Sequence, residues 1–228
     1  RANVEPRNVG APIVDMLYPP GAPTTIPVVS VTGTNGKTTT VRLIAHIFRH
    51  TGKTVGFTTT DGVYLNNRLV MEGDMTGPFS ANIILSNPTV DVAVLETARG
   101  GILRAGLGFD ECDVGIVLNV SADHLGLGGI NTLDQLAEVK SVIAAVVKRE
   151  GHAVLNADDP LVLAMRDRSP GDVVLVSSSP EENPAVEEHL ARSGIAVLVE
   201  RSTFVIRRGR LRIPIAAAHE VPLMMGGA

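Results

Sequence analysis

The chain has 228 residues, with 20 basic and 24 acidic side chains for a formal net charge of −4, and one cysteine. That length suits one α/β domain, with or without a small appendage, and buries a sizeable core without covalent staples. The absence of a basic stripe argues against nucleic acid as a partner. The lone Cys112 excludes an intramolecular disulfide framework and points to a reducing, cytoplasmic compartment, and no secretory h-region or bilayer-length apolar run suggests a membrane partner.

Residues 1–26 are rich in proline and glycine and read as an arm from a preceding domain. Residues 27–222 read as the folded domain, and 223–228 as the start of a linker. With Arg1 at one end and Gly226-Gly227-Ala228 at the other, both ends read as cuts inside a longer protein. From Pro27 short β-branched runs alternate with helical stretches. The runs are Val28–Thr32, Thr54–Thr58, Val92–Glu96, Val114–Asn119, Ala153–Asn156 and Val173–Ser177. The helices fall near 37–50, 79–86, 133–149, 160–166 and 184–193. This alternation predicts an α/β fold, a mostly parallel sheet with helices on both faces. Thr132 with Gln135 fits a capping box, Pro160 an N1 proline and Gly194 a helix stop. Val63–Met71, around Asn66-Asn67, and Thr203–Ile215, around Arg208-Gly209, read as hairpins, the second in a small antiparallel patch.

The sharpest motif is Val31-Thr32-Gly33-Thr34-Asn35-Gly36-Lys37-Thr38-Thr39-Thr40, which follows an apolar strand and opens a helix. Glycines let backbone approach a phosphate, successive N–H groups and the helix N-terminus point at it, Lys37 reaches the terminal phosphates, and Thr38 offers a hydroxyl to magnesium. The spacing departs from the usual phosphate loop, which has glycine where this chain has Val31.

Ligands of open parallel sheets bind beyond the carboxyl ends of the strands. Polar residues gather there strand after strand: Thr58-Thr59-Thr60-Asp61, Glu96-Thr97-Ala98-Arg99, Asn119 through Asp123-His124, and Asn156-Ala157-Asp158-Asp159. Glu96 closes an apolar strand, where a carboxylate is costly unless a cation compensates it or water reaches it. His124, beside Asp123 at a strand exit, reads as a metal ligand. Lys140 fills a gap in the apolar series Leu133, Leu136, Ile143, Val147 and must snorkel, be chemically modified or have a depressed pKa. His46, His50, His152, His189 and His219 read as surface or helix-end residues, Cys112 as a core filler, and Met224 and Met225 as packing at an interdomain seam.

The segment Gly33–Thr40 resembles the nucleotide loop of Mur ligases and folylpolyglutamate synthetases, a superfamily with a phosphate-loop NTPase-like central domain. The resemblance implies that ATP and Mg2+ are the cofactors, held by Gly33, Thr34, Asn35, Gly36, Lys37, Thr38 and Thr39, with Asn156 and Asp159 on the adenine side. It implies metal roles for Thr38, Glu96 and His124, and catalytic roles for Lys37, His124 and Lys140, the last at a position often carbamylated in the superfamily. The chain is more closely similar to cyanophycin synthetases. The blocks that carry this are Val14–Gly21, Thr58–Gly62, Thr76–Ser80, Leu95–Arg104 and Glu220–Leu223. That likeness implies a ligase attaching arginine to the β-carboxylates of a polyaspartate (cyanophycin) chain through an acyl phosphate. Thr60, Thr76, Arg99 and Arg104 are then candidate substrate contacts. It also implies flanking ATP-grasp and Mur C-terminal domains and a homo-oligomeric parent. Two other readings stand beside it: another amino-acid ligase of the superfamily with a cell-wall or folate acceptor, or a nucleotide-binding scaffold inactive on its own.

Overall fold

A computed structural model describes residues 25–122, 125–126 and 128–221, together with Pro12, Ile13 and Met16. The elements run β1 (Val28–Thr32), α1 (Lys37–His50), β2 (Val55–Thr59), β3 (Gly62–Leu65), β4 (Arg68–Glu72), α2 (Pro78–Leu85), β5 (Val92–Glu96), α3 (Arg99–Ala105), β6 (Cys112–Val117), α4 (Leu133–Ala145), β7 (Val147–Asn156), α5 (Pro160–Leu163), β8 (Asp172–Ser177), α6 (Pro184–Ala191), β9 (Ile195–Glu200), β10 (Thr203–Arg208) and β11 (Leu211–Ala217). Among the described residues they form one eleven-stranded sheet, ordered β11-β10-β9-β8-β7-β6-β1-β5-β2-β3-β4. The seven strands from β2 to β9 in that order are parallel, and hairpins extend both margins antiparallel. The chain winds outward from β1 to β2, returns to β5, then crosses β1 to continue at β6. β1 thus flanks the reversal of winding, where the crossovers diverge and leave a crevice.

Strand alternation divides the core. Val29, Val31, Val92 and Val94 face α1 through Val41 and Ala45. Ala93 and Leu95, one residue out of phase, face the other layer, where Ile84 of α2 and Leu136 and Ile143 of α4 pack. Such burial on both faces is why these strands read as continuous apolar runs rather than alternating ones. No helix among the described residues is long and apolar enough to cross a membrane.

The capping box at Thr132 and Gln135 and the N1 proline at Pro160 are present. The hairpin at Asn66-Asn67 turns with both residues at positive φ, 48° and 73°. Several boundaries differ. The helix expected to reach residue 149 ends at Ala145, because buried Val147 pairs with Cys112 as the start of β7 and Lys148 turns to bond Asp113 at 2.8 Å. The helix near 160–166 is α-helical only to Leu163 and continues as a 3-10 turn to Arg168. At the end of α6 it is Ser193, at φ 63°, that takes the left-handed turn, one residue before Gly194. The expected antiparallel patch is present as β10 and β11, which extend the main sheet beyond β9. Helix α3 and strand β9 were not anticipated by periodicity. The arm as far as Thr24, apart from Pro12, Ile13 and Met16, and the segment from Pro222, including Met224 and Met225, lie outside the described residues.

Cys112 is fully buried, and burial first, with the charge of Asp113 beside it, pushes its thiol up to about 12. The reactive species is the thiolate. Alkylation of the native protein at pH 8 is therefore expected to run about a thousandfold slower than in denaturant, where the pKa returns to about 8.5. Equal rates in the two states would refute this placement.

Candidate nucleotide and metal site

The loop between β1 and α1 is held from two sides. Asn119, just past β6, accepts the Thr34 and Asn35 N–H groups on its side-chain oxygen at 3.0 and 2.8 Å and returns an amide bond to the Asn35 carbonyl. From the helical layer, the buried Lys140 Nζ donates to the Gly33 carbonyl at 2.8 Å. Gly33 sits at φ 155°, and a Cβ there would lie 2.9 Å from the Leu118 Cβ, so the close approach of β6 demands glycine. Gly36, at φ 83°, caps α1. The first turn of α1 then offers N–H groups that no helical carbonyl accepts. Val31, at the position where a standard loop has glycine, is fully buried within β1 and cannot belong to the cradle.

Lys37 Nζ bends back to the Thr34 carbonyl at 2.9 Å, at the mouth of the loop. Thr38 donates its hydroxyl to Glu96 Oε2 at 2.8 Å and lies 3.3 Å from the Thr60 hydroxyl. Glu96 is 2% exposed, and among the described residues its second oxygen, Oε1, is buried without a hydrogen-bond partner. Burial raises its pKa, against the pull of the Thr38 hydrogen bond and the Lys37 charge. An orphaned carboxylate oxygen beside two hydroxyls, under a phosphate-type loop, is a hard-oxygen donor set that fits magnesium. His124 and Asp123 lie outside the described residues.

A cavity of about 160 Å³ joins Gly33, Lys37, Arg99, Gly100 and Lys140. Helix α3 brings Arg99 there because Gly101 packs on the turn before α2; a Cβ at Gly101 would come within 2.6 Å of the Thr76 carbonyl. Thr76 is buried and donates to Asp74 at 2.7 Å, and Arg104 is exposed and does not line the cavity. On the other face a cavity of about 370 Å³ opens between Gly36, Leu118, Val154, Asn156, Asp158 and Val176. Asn156 donates to the Leu118 carbonyl at 2.9 Å. Asp159 does not line it: its oxygens accept from the backbone of Val120, Leu161 and Val162, tying the β6 exit to the start of α5. Asn119 stands at a strand exit in the sequence with no role attached to it; an asparagine immediately after an apolar strand, facing a glycine-rich loop, is the signal for this brace.

The sequence model of the Mur ligase middle domain matches residues 31–222. The chain belongs to the Mur ligase middle-domain family. A cyanophycin synthetase of Synechocystis sp. is 59% identical over 97% of this chain, which spans 25% of that relative's length. Among solved structures, a UDP-N-acetylmuramoyl-L-alanyl-D-glutamate–2,6-diaminopimelate ligase superposes with a TM-score of 0.62 at 20% identity, over 90% of this chain and 41% of that one. A bifunctional folylpolyglutamate synthase/dihydrofolate synthase bound to Mn, AMPPNP and L-glutamate gives 0.56 at 18% identity, over 94% and 53%. These two likenesses establish the fold. In this Mur ligase middle domain the loop, the Thr38–Glu96 pair and Lys140 converge at the carboxyl edge beside β1.

Proposed function

We propose that the protein carrying this chain is an ATP-dependent carboxylate–amine ligase that joins the α-amino group of arginine to side-chain β-carboxylates of a polyaspartate chain. The observation that carries the ligase reading is the buried, unpartnered Glu96 oxygen against Thr38 beneath the phosphate-type loop. The 59% identity to a cyanophycin synthetase supports the choice of substrates.

A β-carboxylate oxygen attacks the γ-phosphorus, the bond to the β–γ bridging oxygen breaks, and ADP leaves with that electron pair. The arginine α-nitrogen then attacks the acyl carbon. The carbon–oxygen bond breaks, phosphate leaves, and the ammonium proton passes to solvent, giving the isopeptide bond. Dividing one hard substitution in this way lowers each barrier. Lys37 and the first turn of α1 neutralise charge on the transferred phosphoryl group. Thr38 and Glu96 would hold magnesium, with His124 assigned by resemblance; the ion supplies positive charge against the phosphate oxygens. The larger cavity beside Asn156 accepts the purine, and Arg99 meets a substrate carboxylate with its planar fork. Lys140 is assigned a carbamate on Nζ.

The test supplies the intact protein with ATP, magnesium, arginine and a polyaspartate primer, and in parallel replaces the primer with a folate or a UDP-muramoyl peptide acceptor. Arginine incorporation into polyaspartate, matched by ADP release, is the expected result. ADP release supported only by another acceptor would overturn the substrate assignment. Within the site, Glu96→Gln is expected to raise the magnesium concentration needed for half-maximal activity by about tenfold or more. An unchanged magnesium titration would remove Glu96 from the metal site.

A further inference from the structure

A cavity of about 520 Å³ lies away from the nucleotide loop, around β9, β10 and β11. Its charged walls are Glu181, Glu187, Glu200, Arg201, Arg207 and Arg212. Glu200 accepts from Arg207 at 3.3 Å and from Arg212 at 2.7 Å. A guanidinium has five N–H donors in a planar fork, so two of them sharing one carboxylate retain ample capacity for a further anion. Arg201 and Ser202, which turn the chain from β9 into β10, both hold positive φ, 48° and 60°. Positive φ at both positions is what a two-residue hairpin turn requires, and it sets the Arg201 side chain beside Glu200 at the cavity wall.

The placement is as informative as the charge. Arg207 pairs in register with Ala196 and with Arg212, and Val205 with Leu198. Ala196, Leu198 and Val205 belong to the same core layer as Leu136 and Ile143 of α4. The charged cavity is thus on the face of the sheet that carries Lys140, while the Asn156 cavity opens on the face packed by α1. Four strand spacings separate β9 from β1, roughly 19 Å at about 4.8 Å each. An extended chain covers that in about six residues.

We propose that this cavity is a subsite for the acceptor polymer, a chain bearing both carboxylate and guanidinium side groups, about six residues from the unit being ligated. The proposal rests on the acceptor reading given above. The three arginines take its carboxylates, and Glu181 and Glu187 its guanidinium groups.

The test measures direct binding, without ATP, of aspartate-backbone peptides carrying arginine side groups to the intact protein. Peptides of two and of ten backbone residues are compared for the wild type and an Arg201→Asn, Arg212→Gln double variant. The ten-residue peptide is expected to bind the variant about tenfold more weakly, and the two-residue peptide equally to both, with ATP affinity unchanged. Equal affinity of the variant for the long peptide, or an equal loss for short and long, would overturn the subsite. If the double variant unfolds, Glu187→Gln on the exposed side of α6 replaces it, with an expected loss of about threefold for the long peptide alone. Because binding is read without catalysis, the acceptor reading fails separately: length-selective binding that the variant loses, in a protein that transfers no arginine, would keep the subsite and sink the ligase assignment.

Discussion

Lys37→Ala in the intact protein is expected to lower arginine incorporation by at least a hundredfold, leaving the polyaspartate primer unmodified. The side chain is half-buried at the loop mouth and, among the described residues, bonds to the nearby Thr34 carbonyl at 2.9 Å. Its removal creates no core cavity, so the melting temperature should stay close to that of the wild type. On the proposed mechanism, what disappears is a positive charge at the loop mouth that would meet the transferred phosphoryl group, and preorganised charge of this kind contributes factors of about a hundred to a thousand. Incorporation assays with matched melting curves decide the matter. Equal rates in the two proteins would show that arginine is joined at some other nucleotide site.

Lys140 carries the second large effect, and here stability and chemistry separate. Lys140 is 3% exposed and donates to the Gly33 carbonyl across 107 residues of sequence. Lys140→Ala removes three methylenes and the terminal nitrogen from a packed layer and leaves that carbonyl unmet. A loss of about 3 kcal/mol is expected, from the cavity and the unsatisfied group together. Lys140→Arg retains a donor for the Gly33 carbonyl and most of the volume, but a guanidinium cannot carry a carbamate. It is expected to fold and still to lose ligation by about a hundredfold. Full activity in Lys140→Arg would show that the residue acts only as a buried cation bracing the loop.

The strands and the phosphate-type loop could be read from the sequence because their causes are local: β-branched runs buried on both faces, and glycines at positions where the backbone must turn. Lys140 was legible as an anomaly, a charged residue in an apolar stripe, and it is buried as that stripe requires. The misses have tertiary causes. Helix α3 holds two glycines and has no propensity of its own; it forms where Gly101 settles on the Thr76 carbonyl. The end of α4 is set by the pairing of Val147 with Cys112, which a helical periodicity continuing to that valine conceals. The Arg201-Ser202 turn lacks the glycine that usually announces left-handed backbone. Of the adjacent Asp158 and Asp159, only the fold shows which faces the cavity and which caps a helix.

The bracing of Gly33 by Lys140 also orders events on the ribosome. Synthesis runs at about 5–20 residues per second, so the loop waits roughly 5–20 seconds for the lysine that holds it. Asn119, its other brace, is made only slightly earlier. A nascent chain stalled before residue 119 thus carries a complete Gly-Lys-Thr sequence with neither brace in place, and it should not retain ATP. Nucleotide capture is therefore expected to report the completion of the sheet centre, not the emergence of the motif.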